Sequence, residues 1–293
     1  MHVLLATDGS APSDDAAAVL RAEALPAGST LEVLTVIERY RTLTDGGEDA
    51  VELTEAAARE AEGNVTRCAA TFERPGLAVS TKVRIGRATE EITAEAELFG
   101  ADLVVLGSRG RGALASTLLG SVAAGVIDRA PCPVLAVRGS KVDRILIGDD
   151  GSTLAAAAVD FLTSSHFFPR AHLDVLGVVE FGPPLAVGGE WYGQTVDALQ
   201  KDLKGCVERS AARLRDAGYD ARSEVIVGTP APALAAEAKG RATSLMVLGS
   251  HGRTGMARVL LGSVARGVLT HVPCSVLIVR ARRAAPVEAS ASR

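Results

Sequence analysis

The sequence predicts an α/β fold built twice: two tandem, doubly wound domains, each a five-stranded parallel sheet with helices on both faces. Three observations carry this. The chain has 293 residues, about two domains at roughly 150 residues each. Shifted by 142 positions, it registers on itself: Asp8-Gly9-Ser10 falls on Asp150-Gly151-Ser152, Val36 on Val178, Gly86 on Gly228 and Cys132 on Cys274. Between Leu103–Gly139 and Leu245–Ala281, 22 of 37 positions are identical without a gap, so one unit has been duplicated. Within each unit, short apolar runs alternate with helical stretches, the pattern of strands joined by crossover helices. The joint falls near Lys141. Domains are expected over residues 1–141 and 142–284, with a flexible tail over 285–293.

The elements of the first unit follow in order. Val3 to Ala6 is an apolar run ending in Thr7-Asp8-Gly9-Ser10. Ser10 can cap a helix whose first turn holds Pro12, and that helix is expected to run to about Leu25. Leu31 to Ile37 is a second strand. A polar stretch over Thr42–Glu48 leads into a long helix ending near Phe72. Ala78 to Ile85 is a third strand, and Gly86 precedes a helix from about Ala88 to Phe99. Asp102 to Leu106 is the fourth strand, followed by a glycine-rich loop and a helix over Ser121–Asp128. Pro131 and Pro133 introduce the last strand, Val134–Val137. The second unit repeats this order. In open parallel sheets ligands sit beyond the carboxyl ends of the strands, so the loops after Leu5, Ile37 and Leu106 should converge.

Composition narrows the function. Apolar residues are 47% and charged residues 23%, ordinary globular values. The formal net charge is −4 and aromatics are 3%, so neither a basic field nor stacking platforms favour nucleic acid. Four cysteines with no CxxC spacing suit a reducing compartment. The N-terminus has no basic segment before its short apolar run, and the uncharged stretch from Gly112 to Ile127 has 16 residues, too short for a membrane span. A soluble cytoplasmic protein with no membrane partner is expected.

The informative segment is Gly107-Ser108-Arg109-Gly110, nine residues, then Gly120-Ser121; its copy is Gly249-Ser250-His251-Gly252, nine residues, then Gly262-Ser263. Each leaves the fourth strand and ends at a helix start. Amides at a helix N-terminus attract anions, glycines let backbone approach a phosphate closely, and consecutive amides form an anion nest. Ser121 and Ser263 can cap the helix or donate to a phosphate oxygen, and Arg111 and Arg253 could reach an outer phosphate. The helix end contributes at most about 2 kcal/mol of the roughly 8 kcal/mol that micromolar binding needs. Base and ribose contacts must supply the rest. The competing reading is that these glycines only serve tight turns, which duplication would copy as faithfully. There is no GxxxxGK[ST], which excludes a Walker loop.

The Gly-x2-Gly-x9-Gly-Ser pattern, the Asp-Gly-Ser after strand one and the Pro-Cys-x-Val strand at each domain end together resemble a tandem universal stress protein, over about residues 1–282. The resemblance implies Rossmann-like domains of strand order 3-2-1-4-5 that bind ATP in the nucleotide-binding branch of the family, with any Mg²⁺ arriving on the phosphates. It places Asp8 and Asp150 near the adenosine, backbone at Val36 and Val178 on the adenine, and phosphates on Gly107, Gly110, Gly120 and Ser121 or on Gly249, Gly252, Gly262 and Ser263. Ala6, Arg109, Arg111 and Val122 complete the first candidate set. Gly148, His251, Arg253 and Val264 complete the second. Single-domain relatives pair, so an internal pseudo-dimer through the last strands is expected, with a homodimer of chains left open. Three departures bear on the sites: Ala113 faces Gly255, Arg109 faces His251, and Asp149 adds an acid beside Asp150.

Other residues offer less. Asp8 and Asp150 are turn formers as well as ligand candidates. The five histidines show no metal-ligand spacing. Cys132 and Cys274 read as buried strand thiols, with a redox sensor as the rival. Asn64-Val65-Thr66 is a glycosylation sequon without meaning in the cytosol. Trp191-Tyr192 could anchor a helix or an interface. No nucleophile elbow or catalytic triad is visible. The expected function is an ATP-binding regulator of stress response or growth arrest, not an enzyme; any hydrolysis would be slow. The alternatives are a slow ATPase or phosphoryl-transfer enzyme, and an interaction module with vestigial loops.

Overall fold

The computed structural model describes residues 1–23, 25–38, 48–110, 119–180, 189–252 and 261–280, with side chains from 55 and 196 onward in the two long helices. Arg111, Ala113, Arg253, Gly255 and the tail at 285–293 lie outside the described residues, as do the side chains of Trp191 and Tyr192. The first half runs β1 (His2–Ala6), α1 (Ala11–Ala22), β2 (Thr30–Glu38), α2 (Glu48–Ala70), β3 (Ala78–Gly86), α3 (Ala88–Leu98), β4 (Leu103–Gly107), α4 (Ser121–Arg129) and β5 (Val134–Val137). The second runs β6 (Arg144–Gly148), α5 (Thr153–Ser165), β7 (His172–Val179), α6 (Gly189–Asp216), β8 (Asp220–Val227), α7 (Pro230–Gly240), β9 (Leu245–Gly249), α8 (Ser263–His271) and β10 (Ser275–Val279).

All ten strands form one sheet in the order β3-β2-β1-β4-β5-β10-β9-β6-β7-β8. Each half therefore has the order 3-2-1-4-5, with every pairing inside it parallel. The halves join edge to edge through β5 and β10, which pair antiparallel with Leu135 opposite Leu277. These two residues are themselves 142 apart, so the pseudo-two-fold axis passes between them. Because the seam is antiparallel, the carboxyl ends of the two sets of strands lie at opposite rims of the sheet.

Strand alternation assigns each side chain to a face. Val3, Leu5, Leu103, Val105, Leu135 and Val137 join one core, with Val19 and Leu20 of α1, Val65 of α2, Val159 of α5 and Val207 of α6. Leu4, Ala6, Val104, Leu106 and Val134 join the other, with Ile92 of α3, Val126 of α4, Leu234 of α7 and Val268 of α8. Each core crosses the seam, so the two halves share both apolar layers.

Helix α1 stops at Ala22 rather than near Leu25. Its C-cap Glu23 turns to extended backbone, and the Glu23 carboxylate accepts from the Phe168 N–H at 2.9 Å, tying the first half to the second. Phe168 itself has φ +61°, a left-handed conformation that costs a bulky residue energy and is held here by this contact and by burial. Burial pushes the Glu23 carboxyl above its usual range, against the Phe168 hydrogen bond and the Arg170 charge.

Beneath α3 lies a buried carboxyl pair. Glu95, 2% exposed, accepts from Lys82 Nζ at 2.9 Å and from Arg84 Nε. Burial opposes its charge, but these two donors outweigh burial and hold its pKa below the ordinary value. Neighbouring Glu32 is raised, chiefly by burial and then by the Glu95 charge. In the second half a single residue replaces both cations: Arg241 meets Asp174 at 3.4 Å, Glu224 at 2.6 Å and Glu237 at 2.9 Å. A raised carboxyl favours the fold while protonated and loses that contribution as pH rises through its folded pKa. Glu32→Gln is therefore expected to raise the urea midpoint at pH 8 and to give no gain near pH 4. An unchanged midpoint at pH 8 would contradict the burial argument.

Candidate functional site

The carboxyl end of β1 opens into an Asx turn. Asp8 Oδ1 accepts from the Ser10 N–H at 3.0 Å and from the Ser10 hydroxyl at 2.5 Å. Gly9 takes φ +70°, a backbone that glycine adopts without penalty. Ser10 occupies the N-cap of α1 but makes no side-chain cap bond, because its hydroxyl is committed to Asp8. In the copy, Asp150 Oδ1 accepts from the Ser152 N–H at 3.0 Å, while the Ser152 hydroxyl caps α5 by accepting from Ala155 N–H at 3.1 Å. So the turn-forming reading of Asp8 and Asp150 holds for one oxygen of each. The other oxygen, Oδ2, faces the glycine loop: a Cβ placed on Gly110 would stand 2.7 Å from Asp8 Oδ2, and one on Gly252 would stand 2.6 Å from Asp150 Oδ2.

The glycine loop is pinned at its neck. Ser108 N–H donates to Val137 O at 2.7 Å, and Gly120 N–H donates back to Ser108 O at 2.8 Å. In the second half the bonds are Ser250 N–H to Val279 O, 2.8 Å, and Gly262 N–H to Ser250 O, 2.7 Å. Gly120 and Gly262 are the N-caps of α4 and α8. Ser121 and Ser263 are thus first helical residues rather than caps, and their amides, with those of Val122 and Val264, belong to the unpaired first turn. A Cβ at Gly262 would stand 3.2 Å from His251 Cα, so the two ends of the loop pass nearly in contact.

Gly107 and Gly249 have another reason to be glycine. A Cβ there would meet backbone of α1 or α5, 2.7 Å from Pro12 C or from Leu154 C. Their missing side chain makes room for a helix, which is a structural role; Gly110 and Gly252 are the glycines packed against the carboxylates.

These segments enclose a cavity of about 380 Å³ in the second half. Gly148, Asp150, Val178, Gly249, His251, Gly252, Gly262, Ser263 and Val264 line it, nine of the ten residues singled out there from the sequence. The tenth, Arg253, lies outside the described residues, as does Arg111 in the first half. Ala6, Asp8, Val36, Gly107, Arg109, Gly110, Gly120, Ser121 and Val122 hold the equivalent places at the opposite rim.

Several lining residues escaped the sequence reading. Leu199 and Leu203 of α6, with Leu176, Val179, Leu234 and Leu248, give the cavity an apolar wall. The spacing of four between Leu199 and Leu203 marked one helix face, but nothing marked which loop that face would cover. Asp149, 4% exposed, also lines the cavity. It accepts from Gly151 N–H at 2.8 Å and from Ser210 Oγ at 2.6 Å. Thr7 fills that place in the first half, accepting from Gly9 N–H at 3.1 Å and donating to Ser13. Asn64, read only as a sequon, is buried against Gly9.

Electrostatics differ between the copies. Burial and then the nearby Arg280 charge lower the His251 pKa, which favours a neutral imidazole at pH 7; the first half has an arginine, Arg109, at that place. Cys132 and Cys274 are both buried, and burial pushes Cys274 up to about 11, which suits a structural thiol rather than a reactive one. Among the described residues no three His, Cys, Asp or Glu side chains are grouped to hold a metal. No described helix is long and apolar enough to cross a membrane.

A doubly wound sheet with a carboxylate turn, a pinned glycine loop and a helix N-terminus around one cavity defines a class: doubly wound α/β domains with a cavity at the strand ends. The model of the universal stress protein family matches residues 1–138 and again 141–280. The chain belongs to that family, as two domains in tandem. A universal stress protein of Mycobacterium tuberculosis is 33% identical over 189 residues, covering 61% of this chain and 62% of the relative. The chain thus spans about three fifths of that relative's length. One from Mycolicibacterium smegmatis is 30% identical over 300 residues, covering 96% of this chain and 97% of the relative. The crystal structure of a universal stress protein from Archaeoglobus fulgidus superposes with a TM-score of 0.62 at 21% identity, covering 95% of this chain and 98% of that one.

Proposed function

We propose that this chain is a cytoplasmic, ATP-binding regulator of stress response or growth arrest, with one adenine-nucleotide site in each half and no catalytic role. One observation carries the reading: the cavity brings the Asp150 turn, the apolar wall and the α8 N-terminus together, and the first half repeats the Asp-Gly-Ser turn, the loop glycines and the serine that opens the helix. The residues present suit a nucleotide. The wall of Val178, Leu199, Leu203 and Leu234 takes a flat, largely apolar base. Asp150 Oδ2 accepts from a ribose hydroxyl. The amides of Ser263 and Val264, at the positive end of α8, hold phosphate oxygens. Mg²⁺ would come with the phosphates, its charge offset by them rather than by a protein ligand set.

The test is nucleotide content. Purified protein is denatured and its supernatant chromatographed; stripped protein is then titrated calorimetrically with ATP. About two ATP per chain supports a working site in each half, and about one supports divergence of the copies. Folded protein that takes up no ATP, ADP, AMP or cyclic AMP would overturn the reading. Steady release of phosphate, lost on changing Asp8 and Asp150, would make it an enzyme instead.

A further inference from the structure

Arg280 links the second site to helix α4 of the first half. Arg280 follows β10 at the carboxyl rim of the second half. The bond from Ser250 N–H to Val279 O sets it beside His251 of the second glycine loop, and its charge is felt there. Its guanidinium, however, reaches across the seam. Nη2 donates to Ile127 O at 2.6 Å and to Asp128 O at 2.8 Å, the last carbonyls of α4. Arg266 of α8 meets the Asp128 carboxylate at 3.4 Å at the same helix end. Helix α4 has nine residues, about 13 Å at 1.5 Å per residue, and its other end is Gly120-Ser121, the phosphate end of the first site. A cation at the carbonyl end and an anion at the amide end both stabilise the same helix dipole. The Nε–H of Arg280 is buried and lacks a hydrogen-bond partner among the described residues, a cost that an added acceptor would remove.

We propose that the two sites are negatively coupled through Arg280: a phosphate-bearing ligand beside His251 draws the guanidinium off α4 and thereby weakens anion binding at Gly120-Ser121. The proposal rests on the nucleotide reading above. The two states are defined by one side chain, on the Ile127 and Asp128 carbonyls or on the bound anion, and by reciprocity a filled first site weakens the second equally. Loss of a helix-end charge is worth about a two- to fivefold change in affinity.

The experiment titrates the full chain with a fluorescent ATP analogue. Asp8→Ala isolates the second site and Asp150→Ala the first. Coupling predicts that the wild-type isotherm is broader than the sum of the two single-site curves, its second step about two- to fivefold weaker. In Arg280→Gln the isotherm should collapse onto the sum. A direct reading comes from Asp8→Ala: filling the remaining site should shift the backbone NMR signals of Asp128 and Arg129, whose peptide carbonyls Arg280 holds. Should Arg280→Gln fail to fold, Arg280→Lys keeps the charge, loses the paired donation and should shrink both effects. A wild-type curve equal to the sum, or unmoved Asp128 and Arg129 signals, overturns the coupling. Absence of binding in wild type and in both single-site variants overturns the nucleotide reading instead.

Discussion

Alanine at Gly252 is expected to weaken ATP binding about tenfold or more, a loss of roughly 1.4 kcal/mol, with the fold intact. Alanine at Gly249, three residues earlier, is expected to destabilise the protein by about 1–3 kcal/mol. The two glycines belong to one loop, yet different neighbours surround them. Among the described residues the new Cβ at Gly252 meets only the Asp150 carboxylate, at 2.6 Å. That carboxylate must swing aside, and its proposed ribose contact goes with it. The new Cβ at Gly249 meets Leu154 backbone at 2.7 Å and 2.8 Å, and backbone inside a helix cannot turn away. Gly110 and Gly107 should divide the same way in the first half, where the neighbours are Asp8 Oδ2 and the Pro12 backbone. Calorimetric titration and a urea melt on the same four variants check both statements. A Gly249→Ala protein as stable as wild type would show that α5 packs less tightly on the strand than these distances require.

Leu277→Ala should cost about 2–5 kcal/mol, the range for removing a buried leucine side chain. Leu277 is fully buried and Leu135, opposite it, is 1% exposed. The pair sits on the pseudo-two-fold axis where β5 and β10 exchange hydrogen bonds. The core on that face is continuous from Leu31 and Val33 to Val175 and Ala221, so a cavity there loosens both halves together. Urea unfolding should remain one transition, shifted to lower concentration, whether followed in the first half or the second. Two separated transitions would show that the halves fold independently of the seam.

The duplicated sheet was legible because its evidence is periodic and local: apolar runs, turn dipeptides, and a repeat of 142 positions that pairs each strand with its copy. The cavity lining was legible for the same reason, since Asp150 and the loop glycines sit at strand ends whose destination the topology dictates. What stayed hidden depended on contacts far apart in sequence. Nothing near Glu23 announces that it will bond Phe168, and so nothing announced the early end of α1. Asn64 lies on the inner face of α2, and its place beside Gly9 needs the packing angle of that helix. The cations under α3 and α7 changed places between the copies, with Lys82 and Arg84 on a strand in one and Arg241 at a helix end in the other. The carboxylates align, Glu32 with Asp174 and Glu95 with Glu237, while their cationic partners do not. Gly107 was legible as a required glycine but not for its reason, because a turn, a ligand and a packed helix all demand the same residue.

The seam also decides how the molecule can grow. Joining β5 to β10 uses up one edge of each half and leaves β3 and β8 as the two margins of the ten-stranded sheet. The pseudo-two-fold makes these margins near-copies of each other, so a contact that paired one margin with another chain would be open to the other margin as well. Such an association does not close; it propagates into a fibre. The margins are armed against it. Lys82 and Arg84 stand on β3, Arg222 and Glu224 on β8, and three of these four are engaged in ion pairs. Charge at an exposed edge opposes strand addition, so internal pairing of the two copies leaves a sheet that is complete at its centre and guarded at both ends.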